Sequence, residues 1–562
     1  MRARLHLEQA MLTFVATFFV LVCLPSSAFA AVPSIPFTVT LSESVTITGS
    51  PRIILDVDGT TRYAVYSSGS GTASLTFTYT ATAGDVDLNG IGIASTSLDL
   101  NGGSVTDLNG NVMSNLTFTP PANMGSVNVN YPSLSMDFIY DADGRYTLNG
   151  TAYNDLTSFL SAAGGSFTRA STATYFDSTG TMQTAASGAL RFDYDPSTLL
   201  AEGLLIEPSR TNSIRNGQGA GAVTGSPGTL PTNWFGNTIT SSGLNYEVLT
   251  AAASASLGYI DLRIYGTATS MYPVLYFEPS TQITASSGQI WALSCYVKQI
   301  GGSTSGMSGM ALRVVERDAG GGIVTTQEGI VTVLSTGTLE ANRVTRVFTL
   351  SGGAGTAYAH PGLRLMANVG GAIDITLRVG GCQLELGSHQ SSYIPTTSGA
   401  TTRAADNFNI STGAWFNLNA STLYMQGEAI DGLPTAGSFM TGFGTNGNDY
   451  LGFPYASAGT FNSSSYYRSG GAGPIISASG ALSLNTVFKA AYAYSTTDGT
   501  SSYVKNGNTV ATGSGVTTMG SAAYLSLGYA PFATTPMNSH FLNIKYYPRR
   551  ASDAQIQLLT TP

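Results

Sequence analysis

The chain has 562 residues, too many for one hydrophobic core, so several domains are expected. Charged residues make up 10% of it, against about a quarter in ordinary globular chains, and 66 glycines with abundant Ser, Thr, Asn and Tyr fill the space, a mixture that favours sheet and turn over helix. A net charge of −8, a pI near 5.0 and the lack of any Lys/Arg cluster exclude a nucleic-acid binder, which needs a basic face to neutralise phosphates.

Residues 1–30 read as a secretion leader: Arg2 and Arg4, an apolar run from Met11 to Leu24, and a small-x-small site at Ala28-Phe29-Ala30. The run falls short of the roughly 20 residues a spanning helix needs, so no membrane span is expected once the leader is removed. Its removal takes Cys23 and leaves Cys295 and Cys382, too few for a disulfide framework.

Over residues 31–130, short β-runs alternate with Gly and Asn/Asp turns; Leu75, Phe77 and Tyr79 interleave with threonines at the two-residue period of a sandwich strand. The pattern predicts an antiparallel sandwich of Ig-like size. Its phrases from Val39 to Gly49, Leu75 to Thr80 and Leu98 to Asn111 resemble the SwmB-type Ig-like repeat of bacterial surface proteins, which implies an extracellular spacer or adhesion module. Acidic turns here hold Asp56, Asp58, Asp85, Asp87, Asp107 and Asn109. Such oxygen-rich turns suit calcium, the one cofactor the pattern admits, but Asp-Gly and Asn-Gly are also common hairpin turns, no stretch completes an EF-hand loop, and turn chemistry is the stronger expectation.

Residues 131–215 are irregular, with a short helix expected over Asp155 to Ala163. Glu207 and Arg210 lie close enough in sequence to pair within one connection, a structural ion pair rather than a catalytic one. The phrases Arg169 to Asp177, Leu190 to Asp195 and Gly203 to Asn212 resemble a connector of bacteriophage tail-fibre, tail-spike and head-fibre proteins. The leader departs from that group, since a virion protein assembled in the cytoplasm needs none, and points to a bacterial surface protein built from the same modules.

Over residues 216–396 strand follows strand without helical interludes, which predicts two facing antiparallel sheets, a jelly roll. This stretch resembles carbohydrate-binding-module jelly rolls, in which sugar rings stack on aromatic faces. Trp234, Tyr265, Tyr272, Tyr276 and Tyr296, with Arg263 as a donor, are the candidates for such a platform; for any one of them, packing in a core or on a sheet is the blander expectation. Cys295 shares parity with Leu293 and Val297, and Cys382 with Leu384 and Leu386, so both thiols are expected to face inward, as free thiols rather than a disulfide, because parity does not bring two Cβ atoms within bridging distance.

The alternating strand around Cys382 gives way at Gly387 and Pro395 to turns running to Asp406, a seam between two modules. Residues 397–562 form a last sandwich, closing in a strand from His540 and a short helix capped by Ser552. This ending resembles the concanavalin-A-like, laminin-G-like sandwich carried by phage tail proteins, which implies glycan binding, sometimes through calcium. Hydrolytic members of that architecture set carboxylates at alternate positions on one strand, about 5 Å apart. Glu428 and Asp431 have the wrong parity to share a strand face, and Glu385 and His389 in the seam read as scaffold.

The fold class is therefore all-β, a multidomain array of antiparallel β-sandwiches (Ig-like, jelly roll, concanavalin-A-like). The expected function is non-catalytic, extracellular glycan binding and adhesion, surface- or phage-fibre-like, with surface polysaccharide as partner and homo-oligomerisation open; the location is the secreted fraction or cell surface, or alternatively a virion. A structural fibre or coat component that only self-assembles is the alternative, and a polysaccharide depolymerase a weaker one.

Overall fold

The computed structural model describes Thr13–Phe14 and residues 33–121, 124–141, 144–252, 256–430, 438–457, 460–462, 464–477, 482–529 and 536–562. The expected leader lies outside the described residues except for Thr13–Phe14, paired with Val39 and Thr40. The chain is all-β, built of antiparallel sheets; beyond the eight-residue pair of helices noted below, the described residues hold one five-residue helix, Asn237–Ser241, and one three-residue helical turn, Gly353–Gly355.

In the N-terminal sandwich, Ser34–Thr48, Thr72–Thr80, Thr60–Ser68 and Arg52–Val57 lie side by side, with Ser104–Asp107 on the far edge of the first. Leu75, Phe77 and Tyr79 are buried against Phe37, Val39, Leu55 and Val57 while the intervening threonines stay outside, as the two-residue period requires.

The jelly roll packs a five-stranded sheet (Leu244–Ala252, Tyr259–Thr267, Ala372–Leu386, Ile290–Ser303, Arg343–Thr349) against a four-stranded one (Val274–Tyr276, Tyr358–Ala367, Met307–Arg317, Ile323–Val331). Leu262, Ile264, Leu293, Val297, Leu312, Val314, Leu363 and Leu377 fill the space between them. Cys295 and Cys382 are fully buried there and joined in a disulfide. This corrects the free-thiol expectation: a register shift between Ser294 and Tyr296 sets Cys295 opposite Cys382 on the neighbouring strand, a placement that strand parity alone does not reveal.

The C-terminal sandwich is assembled from two distant parts of the chain. Its first sheet runs Thr151–Tyr153, Tyr146–Leu148, Leu134–Asp137, Ser539–Tyr547, Ala420–Ala429, Phe488–Ser495, Thr500–Lys505, Ala511–Ser514, and Ala201–Ile206 also pairs with Ser539–Tyr547. Its second places Gly165–Thr168 beside Asn407–Ser411 and Tyr524–Leu527. One core holds Leu134, Met136, Tyr146, Phe159 and Leu204 together with Phe408, Leu423, Tyr492 and Tyr546. The stretch expected as a connector is thus sheet and core of this sandwich, and the jelly roll is looped out of it. Arg210–Asn212 and Thr401–Arg403 form the two-stranded stem where the chain leaves and returns. Both expected helices are present: Asp155 Oδ1 accepts from Ser158 N–H ahead of Leu156–Ala163, and Ser552 accepts from Gln555 N–H ahead of Asp553–Thr560.

Beside the stem lies a dry ionic network. Arg191 binds Glu207 and Asp406, each at 2.6 Å, Arg403 binds Glu207 at 2.7 Å and Arg169 binds Asp406 at 3.1 Å. Burial pushes the Glu207 carboxyl up, but Arg403, Arg191 and the Ser392 N–H outweigh it and hold Glu207 well below the usual carboxylate range. Glu207 is matched to these two arginines and not to Arg210, because Arg191 and Arg403 are brought in by tertiary pairing. Glu385 joins the same scaffold, accepting from Ser391 N–H and Oγ–H at 2.6 Å each.

Candidate functional site

Above this network, where the jelly roll meets the C-terminal sandwich, opens a cleft of about 140 Å³. Its lining includes Tyr296, Arg343 and the seam residues Gln390–Tyr393 together with Tyr175, Phe176, Asp193, Glu202, Ile430 and Asn538. The rings of Tyr175 and Phe176 are half-buried, and Arg343 is held by Ser391 O at 2.7 Å and Ser294 Oγ at 2.9 Å.

Asp193 and Glu202, which line the cleft, converge with His540 and Glu428. His540 Nε2 lies 3.2 Å from Asp193 Oδ2 and 3.5 Å from Glu202 Oε2, and its Nδ1 lies 3.0 Å from Glu428 Oε1. They come from Phe192–Tyr194, Ala201–Ile206, Ser539–Tyr547 and Ala420–Ala429, and two glycines allow the convergence. Gly203, at φ +96°, lets its strand run directly against Phe541 O, where a Cβ would collide; this sets Glu202 beside His540. A register shift at Gln426/Gly427, with no room for a Cβ beneath His540 O, brings Glu428 directly opposite His540.

Burial lowers the basicity of the His540 imidazole, but the hydrogen bonds to Asp193 and Glu428 win and raise it to about 10. Burial pushes Glu202 up, Asp193 and Glu428 add to the push while His540 opposes it, and the carboxyl reaches about 7. Asp193 is oriented by the Phe176 N–H, which donates to its Oδ1 at 2.7 Å.

The residues expected to form a sugar platform are dispersed. Trp234 is core, its Nε1–H donating to Asn216 O at 2.9 Å and its ring edge-on to Phe277. Tyr276 is buried and stacked on His360 at 3.9 Å between ring centroids. Arg263 lies on the outer face of the five-stranded sheet, 4.7 Å over the Tyr265 ring, and binds Asp374 at 2.8 Å and Glu247 at 3.3 Å. Tyr272 is 51% exposed at the other sheet, with the Arg364 guanidinium 4.3 Å over its ring. Of the six, Tyr296 alone lines the cleft, and it is 1% exposed, packed edge-on to Tyr393.

The six residues expected to suit calcium do not share a site either. Asp85 is taken by Arg62 at 2.6 Å, by Tyr79 Oη–H and by Thr82 N–H; Asp87 accepts from Asp58 N–H and Gly90 N–H, both at 3.0 Å. Asp58 faces Arg549 and accepts from Ser552 N–H at 2.9 Å, Asp107 accepts from the backbone of Asn109 and Asn111, each at 2.8 Å, and Asp56 is exposed on its strand. Turn closure and docking to the C-terminal sandwich use these oxygens.

Asp193, Glu202, Glu428 and His540 escaped sequence reasoning because they lie up to 347 residues apart in the chain, as with His540 and Asp193. Glu428 meets His540; Asp431 lies outside the described residues. Among the described residues, Asp193, Glu202 and His540 are the group of three close enough to share an ion, their ligand atoms all within 4.8 Å of one another.

No family model and no curated protein matches the chain. Among solved structures, it is similar to domain 4 of AbnA, a GH43 extracellular arabinanase from Geobacillus stearothermophilus, in complex with arabinotriose, at 14% identity over 31% of this chain and 82% of that one, TM-score 0.23. It is similar to the CBM22-1 xylan-binding domain of Paenibacillus barcinonensis Xyn10C at 16% identity over 33% and 99%, TM-score 0.20. It is also similar to Trypanosoma rangeli sialidase in complex with the inhibitor DANA at 11% identity over 56% and 66%, TM-score 0.21. TM-scores this low carry no argument about function.

Proposed function

We propose that the protein is a non-catalytic, extracellular glycan-binding protein of the surface-adhesin or phage-fibre type, and that the cleft between the jelly roll and the C-terminal sandwich takes the saccharide. The observation that carries this reading is the make-up of the cleft, whose lining combines the half-buried aromatic residues Tyr175 and Phe176 with the planar polar groups of Arg343 and Gln390 at a domain junction. A saccharide offers apolar C–H faces to rings and hydroxyls to fixed donors and acceptors, and clefts of mixed apolar and polar lining form preferentially at such junctions. The exposed ring of Tyr272, backed by Arg364, offers a second contact of the same kind on the jelly roll.

The test is retention of the full chain on a panel of bacterial surface and plant polysaccharides, followed by titration of the strongest binder. Tyr175→Ala and Gln390→Ala, both at partly exposed positions, are each expected to weaken binding about tenfold. Retention by no polysaccharide, or affinity unchanged in both variants, would overturn the reading.

A further inference from the structure

We propose that Asp193, Glu202 and His540 hold a divalent transition-metal ion of the Zn²⁺ class at the cleft. Zinc takes imidazole nitrogen and carboxylate oxygen at about 2.0–2.2 Å, and two ligands of a tetrahedral ion then stand about 3.4 Å apart. His540 Nε2 stands 3.2 Å from Asp193 Oδ2 and 3.5 Å from Glu202 Oε2, and the three ligand atoms all lie within 4.8 Å of one another, a group small enough to close on one ion.

The surroundings are those of a metal-binding histidine. Its other nitrogen, Nδ1, lies 3.0 Å from Glu428 Oε1, the carboxylate contact that fixes the tautomer and turns Nε2 toward the ion. Asp193 is likewise fixed, through the Phe176 N–H on its Oδ1 at 2.7 Å. A second observation is independent of the cluster: Asn538 is 4% exposed, lines the same cleft two residues before His540 in the chain, and its Oδ1 has no hydrogen-bond partner. A buried amide oxygen without a donor is costly unless something positive or a bound water reaches it. The imidazole argues for a transition ion over Ca²⁺, which prefers six to eight oxygens. Three protein ligands leave one position of a tetrahedral ion to an exogenous oxygen, the arrangement of open zinc sites.

The competing description is an imidazolium clamped between carboxylates, which takes up no ion. Calorimetric titration of the chelator-treated full chain with Zn²⁺, and separately with Ca²⁺ and Mg²⁺, distinguishes the two. The expected result is one Zn²⁺ per chain with micromolar or tighter affinity. Glu202→Gln, at a partly exposed position, is expected to weaken Zn²⁺ at least about tenfold with an unchanged metal-free melting temperature, and His540→Gln to abolish uptake. Absence of stoichiometric uptake, uptake unaltered in Glu202→Gln, or Ca²⁺ bound as tightly as Zn²⁺ would overturn the proposal. The titrations contain no saccharide, so their failure leaves the glycan reading standing, and loss of polysaccharide retention leaves the metal site standing.

Discussion

Arg191 and Asp406 form a 2.6 Å ion pair with neither side chain exposed to solvent, although 215 residues separate them in the chain. Asp406 also binds Arg169 and accepts from Glu207 N–H at 2.9 Å, so it closes the network that joins the returning strand of the stem to the strands preceding the jelly roll. Removing one partner of a dry ion pair leaves the other charge uncompensated and costs about 3–5 kcal/mol, far more than an exposed pair is worth. Asp406→Asn is therefore expected to destabilise the C-terminal sandwich by about that amount in urea unfolding; a loss below about 1 kcal/mol would refute a structural role for the network.

The disulfide between Cys295 and Cys382 closes a loop with a sequence separation of 87 residues inside the jelly-roll core. On the chain-entropy account such a cross-link is worth about 4.6 kcal/mol. The double variant Cys295→Ala/Cys382→Ala is expected to lower jelly-roll stability by about that much, and thiol titration of the unfolded, unreduced chain should find neither Cys295 nor Cys382 free. Two reactive thiols per chain would contradict the pairing.

The period-two patterns of apolar residues around Leu75 and Cys382 made the all-β class legible in the sequence, because a buried face imposes alternation whatever the partner strand. The cap at Ser552 was legible for a similar reason, since its hydrogen bond reaches only three residues along the chain, whereas Asp155, expected as the first residue of its helix, is its cap. Partners were not. Leu134–Asp137 alternates as any strand does, yet its neighbour is Ser539–Tyr547, and nothing local marks that pairing. The cluster at His540 was hidden for the same reason and also because Gly203 and the shift at Gly427, which create it, look in sequence like ordinary strand irregularities.

Arg549 ties the N-terminal sandwich to the C-terminal one. Its guanidinium donates to Gly84 O at 2.8 Å and Val86 O at 2.9 Å, reaches Val57 O and Thr60 Oγ1, and faces Asp58, while Val86 packs on Tyr547, Ala551 and Ile556 beside it. Arg549→Ala strands several buried acceptors at once and should cost about 2–4 kcal/mol of coupling. In calorimetry this appears as an N-terminal transition separating from the rest, with faster protease cleavage between the two sandwiches. A single unsplit transition at the parent temperature would show that the apolar contact alone holds them.

His360 supplies a pH dependence whose sign can be worked out. It is 5% exposed; burial first, and then Arg317, whose guanidinium donates to Nδ1 at 3.1 Å, with Arg313 nearby, lower its pKa to about 3, against partial compensation from its contact with Glu278 O at 2.9 Å. Tyr276 stacks on the ring, Glu278, whose carbonyl His360 contacts, is engaged by Arg215 at 2.9 Å, and Glu328 pairs with Arg313 at 3.4 Å. A histidine with a depressed folded pKa leaves the unfolded chain binding the extra proton. Its contribution is therefore intact above about pH 6.5 and is lost progressively as pH falls from there toward about 3. Between pH 7.5 and 5 the loss amounts to about 2 kcal/mol. His360→Gln is expected to flatten the fall in jelly-roll melting temperature across that interval, whatever it does to stability at pH 7.5; an equally steep fall in the variant would assign the pH dependence to other groups.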